Sequence, residues 1–279
     1  MTAHTPTTHT TNTGFRKVLG DSSIITWRNL KRIPRIPELA IFAIMQSVMF
    51  VLLFAFVFGG AIPLPGYSGT NAYREYLLPG IFVQTIVFAA ATVAIGMCDD
   101  INKGIIDRFR SLPMSRAAVL TGRTTSEVVY NAGILVVLMV AGLAVGWSVH
   151  TDLVSFLEGV ALLLAFAYAM AWLGVWLGVV VPTVEVAQQV SFTVLFPITF
   201  VSGVFVPIAT MPSWLQPIAY WNPVTTLASS LRNLWGNPNP QIADNFPTQN
   251  PILVTLGWIV VFILVFGPLG VRRYRNMSR

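Results

Sequence analysis

Six long apolar stretches, separated by shorter polar connections, dominate the pattern of hydrophobic and polar positions along the chain. Each stretch is close to the roughly 20 residues that an α-helix needs to cross the hydrocarbon core of a bilayer. The pattern therefore predicts an all-α polytopic membrane protein with six transmembrane helices. We place these six spans at Leu39–Ala61, Leu78–Cys98, Glu127–Trp147, Leu157–Val181, Val186–Val206 and Ile252–Val271.

The chain before the first span divides into two parts. Residues 1–14 are rich in threonine and lack an apolar pattern, which predicts a disordered N-terminal tail. In residues 15–37, apolar side chains such as Trp27 alternate with basic ones such as Arg28, and this pattern is typical of a helix lying on a membrane surface. We expect residues 38–279 to form a single six-span membrane domain.

A charged island lies between the second and third predicted spans. Within Asp99–Pro113, Ile101, Ile105 and Phe109 recur at i, i+4 and i+8 among charged residues, so the segment is predicted to be a short amphipathic helix. A glycine inside such a helix costs about 1 kcal/mol relative to alanine. In a second interpretation the helix therefore begins only near Gly104, and Ile101 continues span two.

The connection between spans five and six is long and only partly polar. Residues 207–235 contain Trp214, Trp221 and Trp235 beside short apolar patches. Tryptophan is enriched at the interface between membrane and water. This segment is predicted to form short re-entrant helices that dip into the outer leaflet.

The composition agrees with a membrane protein and excludes a soluble one. Hydrophobic residues make up 54% of the 279 residues, charged residues make up 10%, and the mean hydropathy is +0.69. A typical soluble domain carries roughly 25% charged residues.

The net charge of +6 indicates the orientation of the chain in the membrane. Of the 17 lysine and arginine residues, all but Arg74 and Arg232 fall into three clusters, before span one, around the charged island and after span six. Basic residues in short connections favour the cytoplasmic side. We therefore expect both termini and the charged island to be cytoplasmic, and we do not interpret the charge as a nucleic-acid-binding surface.

No catalytic or metal site is predicted in this chain. The sequence contains no phosphate-binding G-x-x-x-x-G-K-[ST] loop, no H-E-x-x-H and no serine-nucleophile elbow. Its single cysteine, Cys98, excludes an intramolecular disulfide.

The positions of the acidic residues bear on the energy source. We expect all eleven acids to lie at or beyond the ends of the spans, whereas a proton-coupled transporter generally needs a titratable group within the membrane. A proton-coupled multidrug antiporter is therefore an alternative hypothesis with little support. A non-transporting membrane scaffold is another alternative.

Polar and aromatic side chains inside the spans are candidates for a substrate path. Each of them also has a simpler interpretation, either as an interhelical hydrogen bond or as core packing. Two G-x-x-x-G pairs, Gly142/Gly146 and Gly174/Gly178, indicate close helix packing within one subunit or between two. The candidate path residues are Gln46, Phe82, Gln84, Phe88, Gln189, Phe192, Phe196 and Pro197.

Three sequence segments resemble a known family. LLPGIFVQTIVF (Leu77–Phe88) and GIIDRFRSLP (Gly104–Pro113) resemble the permeases of daunorubicin/doxorubicin-type ABC exporters. FPITFVSGVFVPIATMPSWLQPIAYWNPVTTLASSLR (Phe196–Arg232) resembles a signature of the wider type-2 ABC permeases. The likeness extends from the interfacial helix through the sixth span.

This resemblance implies a function and a set of partners. Such permeases sit in the bacterial plasma membrane and move drugs, polyketides or lipids, powered by two copies of a separately encoded ATPase. ATP and magnesium bind to that partner, so no cofactor is expected in this chain. The permease pairs with a second copy or with a related permease.

The resemblance also implies roles for particular residues. The cytoplasmic connection 99–116 would be the coupling loop that contacts the ATPase, and the substrate path would run along spans one, two and five. The implied coupling residues are Ile101, Ile105, Ile106, Asp107, Arg108, Phe109 and Arg110.

Overall fold

The computed structural model describes residues 37–58, 64–67, 70–104, 116–240 and 243–276, and the described part of the chain is helical without any β-strand. The helices in chain order are α1 (Pro37–Leu52), which continues as a π-helix (Leu53–Phe58), α2 (Thr70–Asn102), α3 (Arg116–Val145), α4 (Leu153–Val180), α5 (Val184–Phe200), a short 3₁₀ turn (Ile208–Thr210), α6 (Gln216–Trp221), α7 (Pro223–Trp235), α8 (Phe246–Gln249) and α9 (Pro251–Asn276).

Four of these helices are long and apolar enough to cross a membrane. Their candidate spans are Asn71–Asn102 in α2, Leu120–Val145 in α3, Leu153–Val180 in α4 and Pro251–Tyr274 in α9. The predicted first and fifth spans coincide with shorter apolar helices, Val48–Val57 and Val184–Phe200. Much of α2 and α4 is buried, whereas α3 and α9 expose many apolar side chains, as expected for helices that face lipid.

Close packing of α4 on α2 forms the centre of the fold. The glycines of the second G-x-x-x-G pair face the α2 backbone, because a methyl group on Gly178 would come 2.5 Å from the carbonyl oxygen of Ala94, and one on Gly174 would overlap that of Ala90. These glycines let the two backbones approach each other closely. The second G-x-x-x-G pair thus serves packing within one subunit.

A cluster of aromatic rings joins the helices at one end of this core. Trp235, at the end of α7, is fully buried, and its ring lies 5.9 Å from Phe82, 5.5 Å from Trp147 and 6.0 Å from Phe156. Gly159 makes room for the indole, since a methyl group there would overlap Trp235 Nε1. The cluster connects α2, α4 and α7 to the turn after α3.

Several helix boundaries differ from those predicted for the spans, and α2, for example, begins at Thr70 rather than at Leu78. Helix α3 begins at Arg116, eleven residues before the predicted start at Glu127, because polar residues lower the hydropathy of its first turns without breaking the helix. Helix α5 ends at Phe200 rather than at Val206. Beyond it, the backbone carbonyl groups are bound by side chains from α7 and α2 instead of continuing the helical ladder.

Candidate functional site

The predicted ATPase-coupling residues lie largely outside the described residues. Ile105, Ile106, Asp107, Arg108, Phe109 and Arg110 all fall in residues 105–115. Helix α2 continues to Asn102, and Gly104 takes a left-handed φ of 66°, which is typical of the residue that ends a helix. Ile101 therefore belongs to α2, where it packs on a core cluster that includes Leu120 and Tyr274. This arrangement agrees with the interpretation that starts the coupling segment near Gly104.

The predicted path residues separate into a buried pair and a more exposed group. Phe82 and Gln84 are buried, and the Phe82 ring packs on Trp147 and Trp235 in the interior. Gln46 on α1 is exposed, as are Gln189 and Pro197 on α5. Phe82 thus belongs to the packing core of the subunit.

Phenylalanine rings from three helices form one continuous row, which we call the aromatic strip. On α5 the rings of Phe192 and Phe196 are 5.7 Å apart, and Phe88 of α2 lies 5.8 and 5.1 Å from them. Phe196 and Phe200 are 43% and 52% exposed. The full strip comprises Phe50, Phe54, Phe88, Phe192, Phe196, Phe200 and Phe205.

The aromatic strip continues from α5 onto α1. The Phe200 ring is tilted against that of Phe205 at 5.6 Å, Phe205 stacks 4.5 Å from Phe54 in the π-helix, and Phe50 of α1 follows at 5.9 Å. The strip therefore joins the predicted spans one, two and five. The surface of the strip is apolar and aromatic, so it favours contact with planar or hydrophobic molecules over charged hydrophilic ones.

The chain between α5 and the 3₁₀ turn, residues 201–207, forms what we call the return segment. Its backbone is not helical, yet Ser202, Gly203, Val204 and Phe205 are buried. Backbone carbonyls in such a place need hydrogen-bond donors, since an unpaired buried polar group is costly.

Arg232 of α7 supplies two of these donors. Its side chain is fully buried, and Nε donates to the Tyr76 carbonyl at 2.9 Å. The two terminal nitrogens donate to the carbonyls of Gly203 at 2.9 Å and Val204 at 3.1 Å. The guanidinium carbon also lies 3.6 Å above the Tyr76 ring, within the range of a cation–π contact.

Three further side chains complete the binding of the return segment. The Tyr76 hydroxyl donates to the Gly203 carbonyl at 2.6 Å, and the Tyr73 hydroxyl donates to that of Phe205 at 3.2 Å. Asn222 caps α7 through its side-chain oxygen and donates to the carbonyls of Ile198 and Val201 at 2.7 Å each. We call Arg232, Tyr76, Tyr73 and Asn222 the return-segment clamp.

The charge of Arg232 is balanced by dipoles and by aromatic rings. Among the described residues, no acidic side chain forms an ion pair with it. Burial lowers the pKa of its guanidinium from the ordinary value, while the neighbouring Tyr76 acts in the opposite sense. Because arginine keeps its proton in proteins, the clamp holds a fixed positive charge.

The sequence analysis missed the clamp, although one signal was present. Arg232 is one of only two basic residues outside the three basic clusters, and it lies in a largely apolar segment. A lone cation in such a position needs buried partners. Nothing in the sequence pattern identifies those partners, because they are backbone carbonyls.

The fold defines a class of protein, namely a helical multi-pass membrane protein, and its sequence contains no G-x-x-x-x-G-K-[ST] loop. Comparison with known proteins then gives the family. A family model described as ABC-2 type transporter matches residues 22–235, and the chain belongs to this family. It is the transmembrane permease subunit of an ABC exporter, and it works with a separate ATP-binding subunit.

Individual relatives agree with this assignment. The chain is 30% identical over 252 residues to the daunorubicin resistance ABC transporter permease protein DrrB1 of Streptomyces coeruleorubidus, covering 90% of this chain and 85% of the relative. It is 21% identical to the putative transport permease ycf38 of Porphyra purpurea, with 94% and 90% covered. It is 24% identical to the inner membrane transport permease YadH of Escherichia coli K12, with 85% and 88% covered.

Proposed function

We propose that this chain exports hydrophobic or amphiphilic molecules, such as drugs, polyketides or lipids, across a bacterial plasma membrane as one half of a permease pair. The observation that carries the proposal is the aromatic strip, which runs across α1, α2 and α5 and leaves Phe196 and Phe200 exposed. A daunorubicin resistance permease is among the relatives by its name.

In this proposal the chain crosses the membrane six times. The four long apolar helices make four of these crossings, and α1 with its π-helix and α5 make the other two. Both termini lie in the cytoplasm beside the basic clusters. A second permease, either a copy of this chain or a relative, faces the aromatic strip. The substrate passes between the two subunits along α1, α2 and α5.

The proposed path contains only part of the residues predicted from the sequence. Phe88, Phe192, Phe196 and Pro197 lie on or beside the aromatic strip, and Gln46 and Gln189 are exposed on the same helices. We leave Phe82 and Gln84 out of the path because both are buried within the subunit. The buried pair maintains the fold in this scheme.

Replacing Phe196 and Phe200 with alanine tests the strip. A fully buried phenylalanine contact is worth about 1.5–3 kcal/mol, so we expect the half-maximal daunorubicin concentration for ATPase stimulation to rise about tenfold or more for the double variant. The measurement uses the permease and its ATPase partner reconstituted in vesicles, with a fluorescent phospholipid as a second probe. Phe246→Ala is the control, since Phe246 is also exposed but lies outside the strip. Unchanged stimulation and transport in the double variant would contradict the path.

We propose that the part of the coupling loop that follows α2, residues 104–116, is the coupling segment and binds the ATPase through its apolar residues. Replacing both Ile105 and Phe109 with aspartate puts two charges into that contact, so we expect the ATPase to be lost on co-purification. Asp107→Asn, at the proposed rim, is expected to leave the complex intact. If the ATPase stays bound to the double variant and transport persists, the coupling assignment is wrong.

A further inference from the structure

An ion pair joins the end of α2 to the start of α3, on either side of the coupling segment. Asp100 lies in the last turn of α2, and Arg123 lies in the second turn of α3. Arg123 Nη1 donates to Asp100 Oδ2, and the two side chains are only 23% and 17% exposed, respectively. A pair shielded in this way is weakened less by water and salt than one on an open surface.

The surface of α2 leaves room for the Arg123 side chain at Gly96. Gly96 precedes Asp100 by one helical turn, and a methyl group there would overlap Arg123 Nη2. Glycine inside a helix is unfavourable by about 0.5–1 kcal/mol relative to alanine. At this position, however, its lack of a side chain lets the guanidinium lie directly against the α2 backbone.

A second ion pair nearby has a different character. Lys103 Nζ lies 2.7 Å from Asp99 Oδ2, but Asp99 is in the last turn of α2, Lys103 directly follows that helix, and the lysine is well exposed. This pair connects no second helix, and exposed pairs of this kind contribute little. It therefore provides a matched control for the Asp100–Arg123 pair.

The opposite ends of α2 and α3 are also connected. Glu75, near the start of α2, accepts hydrogen bonds from Ser148 at 3.1 Å and pairs with His150 at 3.0 Å, just beyond the end of α3. Arg74 donates to the Val145 carbonyl at 3.4 Å. Helices α2 and α3 are thus connected at both ends. The eleven residues of the predicted coupling segment that link the end of α2 to the start of α3, residues 105–115, lie outside the described residues.

We propose that the Asp100–Arg123 pair, seated on Gly96, is a positioning joint that makes α2 and α3 move as one body when the ATPase displaces the coupling segment. This inference rests on the proposed coupling function. Without the joint, a displacement of the start of α3 is no longer passed directly to the end of α2, and only the contacts at the opposite ends connect the two helices. ATP is still hydrolysed, but less of the motion reaches the aromatic strip, which involves α2 and not α3.

The test measures daunorubicin transported per ATP hydrolysed, using the permease reconstituted with its ATPase. For Arg123→Ala and for Gly96→Ala we expect this ratio to fall on the order of fivefold, while the ATPase stays bound and basal hydrolysis continues. The Asp100→Ala/Arg123→Ala double variant should be no worse than the worse single variant, because both remove the same interaction. Lys103→Ala should leave the ratio unchanged.

The possible outcomes separate this inference from the proposed function. A wild-type complex that does not transport would overturn the proposed function. Normal transport by the wild type, together with an unchanged ratio in folded Arg123→Ala and Gly96→Ala, would overturn the joint alone. Should the single variants misfold, the pair Asp100→Asn/Arg123→Gln removes both charges of the joint and keeps a polar amide at each position, and a wild-type ratio in that variant also overturns the joint.

Discussion

Replacing Arg232 with methionine is expected to lower the free energy of unfolding by about 5 kcal/mol or more and to abolish transport. Methionine fills much of the volume but removes three hydrogen bonds from a charged donor, each worth about 1.5–3 kcal/mol. The carbonyls of Tyr76, Gly203 and Val204 would then be left without this donor. Thermal unfolding of the purified protein in detergent or nanodiscs measures the effect.

Two companion variants show whether the effect comes from the hydrogen bonds. Arg232→Lys keeps the charge, but its single ammonium group cannot reproduce the planar fork of the guanidinium, so we expect an intermediate loss. Asn233→Ala alters the exposed neighbour on the same helix, removes only its exposed hydrogen bond from Asn239, and should change stability by less than about 1 kcal/mol. If Arg232→Met were as stable as Asn233→Ala, the clamp would not hold the return segment.

Replacing Gly178 with leucine is expected to separate α4 from α2 and to prevent recovery of folded protein. Even alanine places a methyl carbon 2.5 Å from the Ala94 carbonyl oxygen, where the backbone must shift. Overpacking of this kind costs about 1–3 kcal/mol, and leucine adds three more carbons. The folded fraction on size-exclusion chromatography and the unfolding temperature report the loss.

The control for this prediction is a glycine with space around it. Gly257 of α9 has no heavy atom within 4 Å of an added methyl group, so Gly257→Ala should be neutral or about 0.5–1 kcal/mol more stable. Equal stability of Gly178→Ala and Gly257→Ala would contradict the close α2–α4 contact.

Hydropathy predicted the middle of the helices better than their ends. The predicted span Leu157–Val181 agrees closely with α4, Leu153–Val180, because Asp152 caps the helix next to the apolar run. The start of α3 was missed because a helical backbone continues past the edge of the apolar stretch. Hydropathy indicates which part of a helix is apolar, whereas hydrogen bonds and capping residues determine where the helix ends.

The sequence indicated close packing at Gly174 and Gly178 but not the helix against which they pack. The partner helix is determined by the facing surface of α2, where the small side chains of Ala90 and Ala94 leave the backbone accessible. The spacing of glycines along α4 alone cannot identify that surface. The aromatic strip was visible in part as phenylalanines on the proline-bearing fifth span. Its continuation through Phe205 to Phe54 depends on the fold of the return segment.

The clamp also constrains the order in which the protein can be assembled during synthesis. Helix α5 ends at Phe200, but Asn222 and Arg232, which bind the carbonyls at and beyond its end, leave the ribosome about 20 and 30 residues later. A nascent chain that has just completed α5 therefore carries carbonyl groups without their final donors. Completion of this end of the subunit has to wait for α7, so translation through Arg232 is the earliest point at which α5 can adopt its native surroundings.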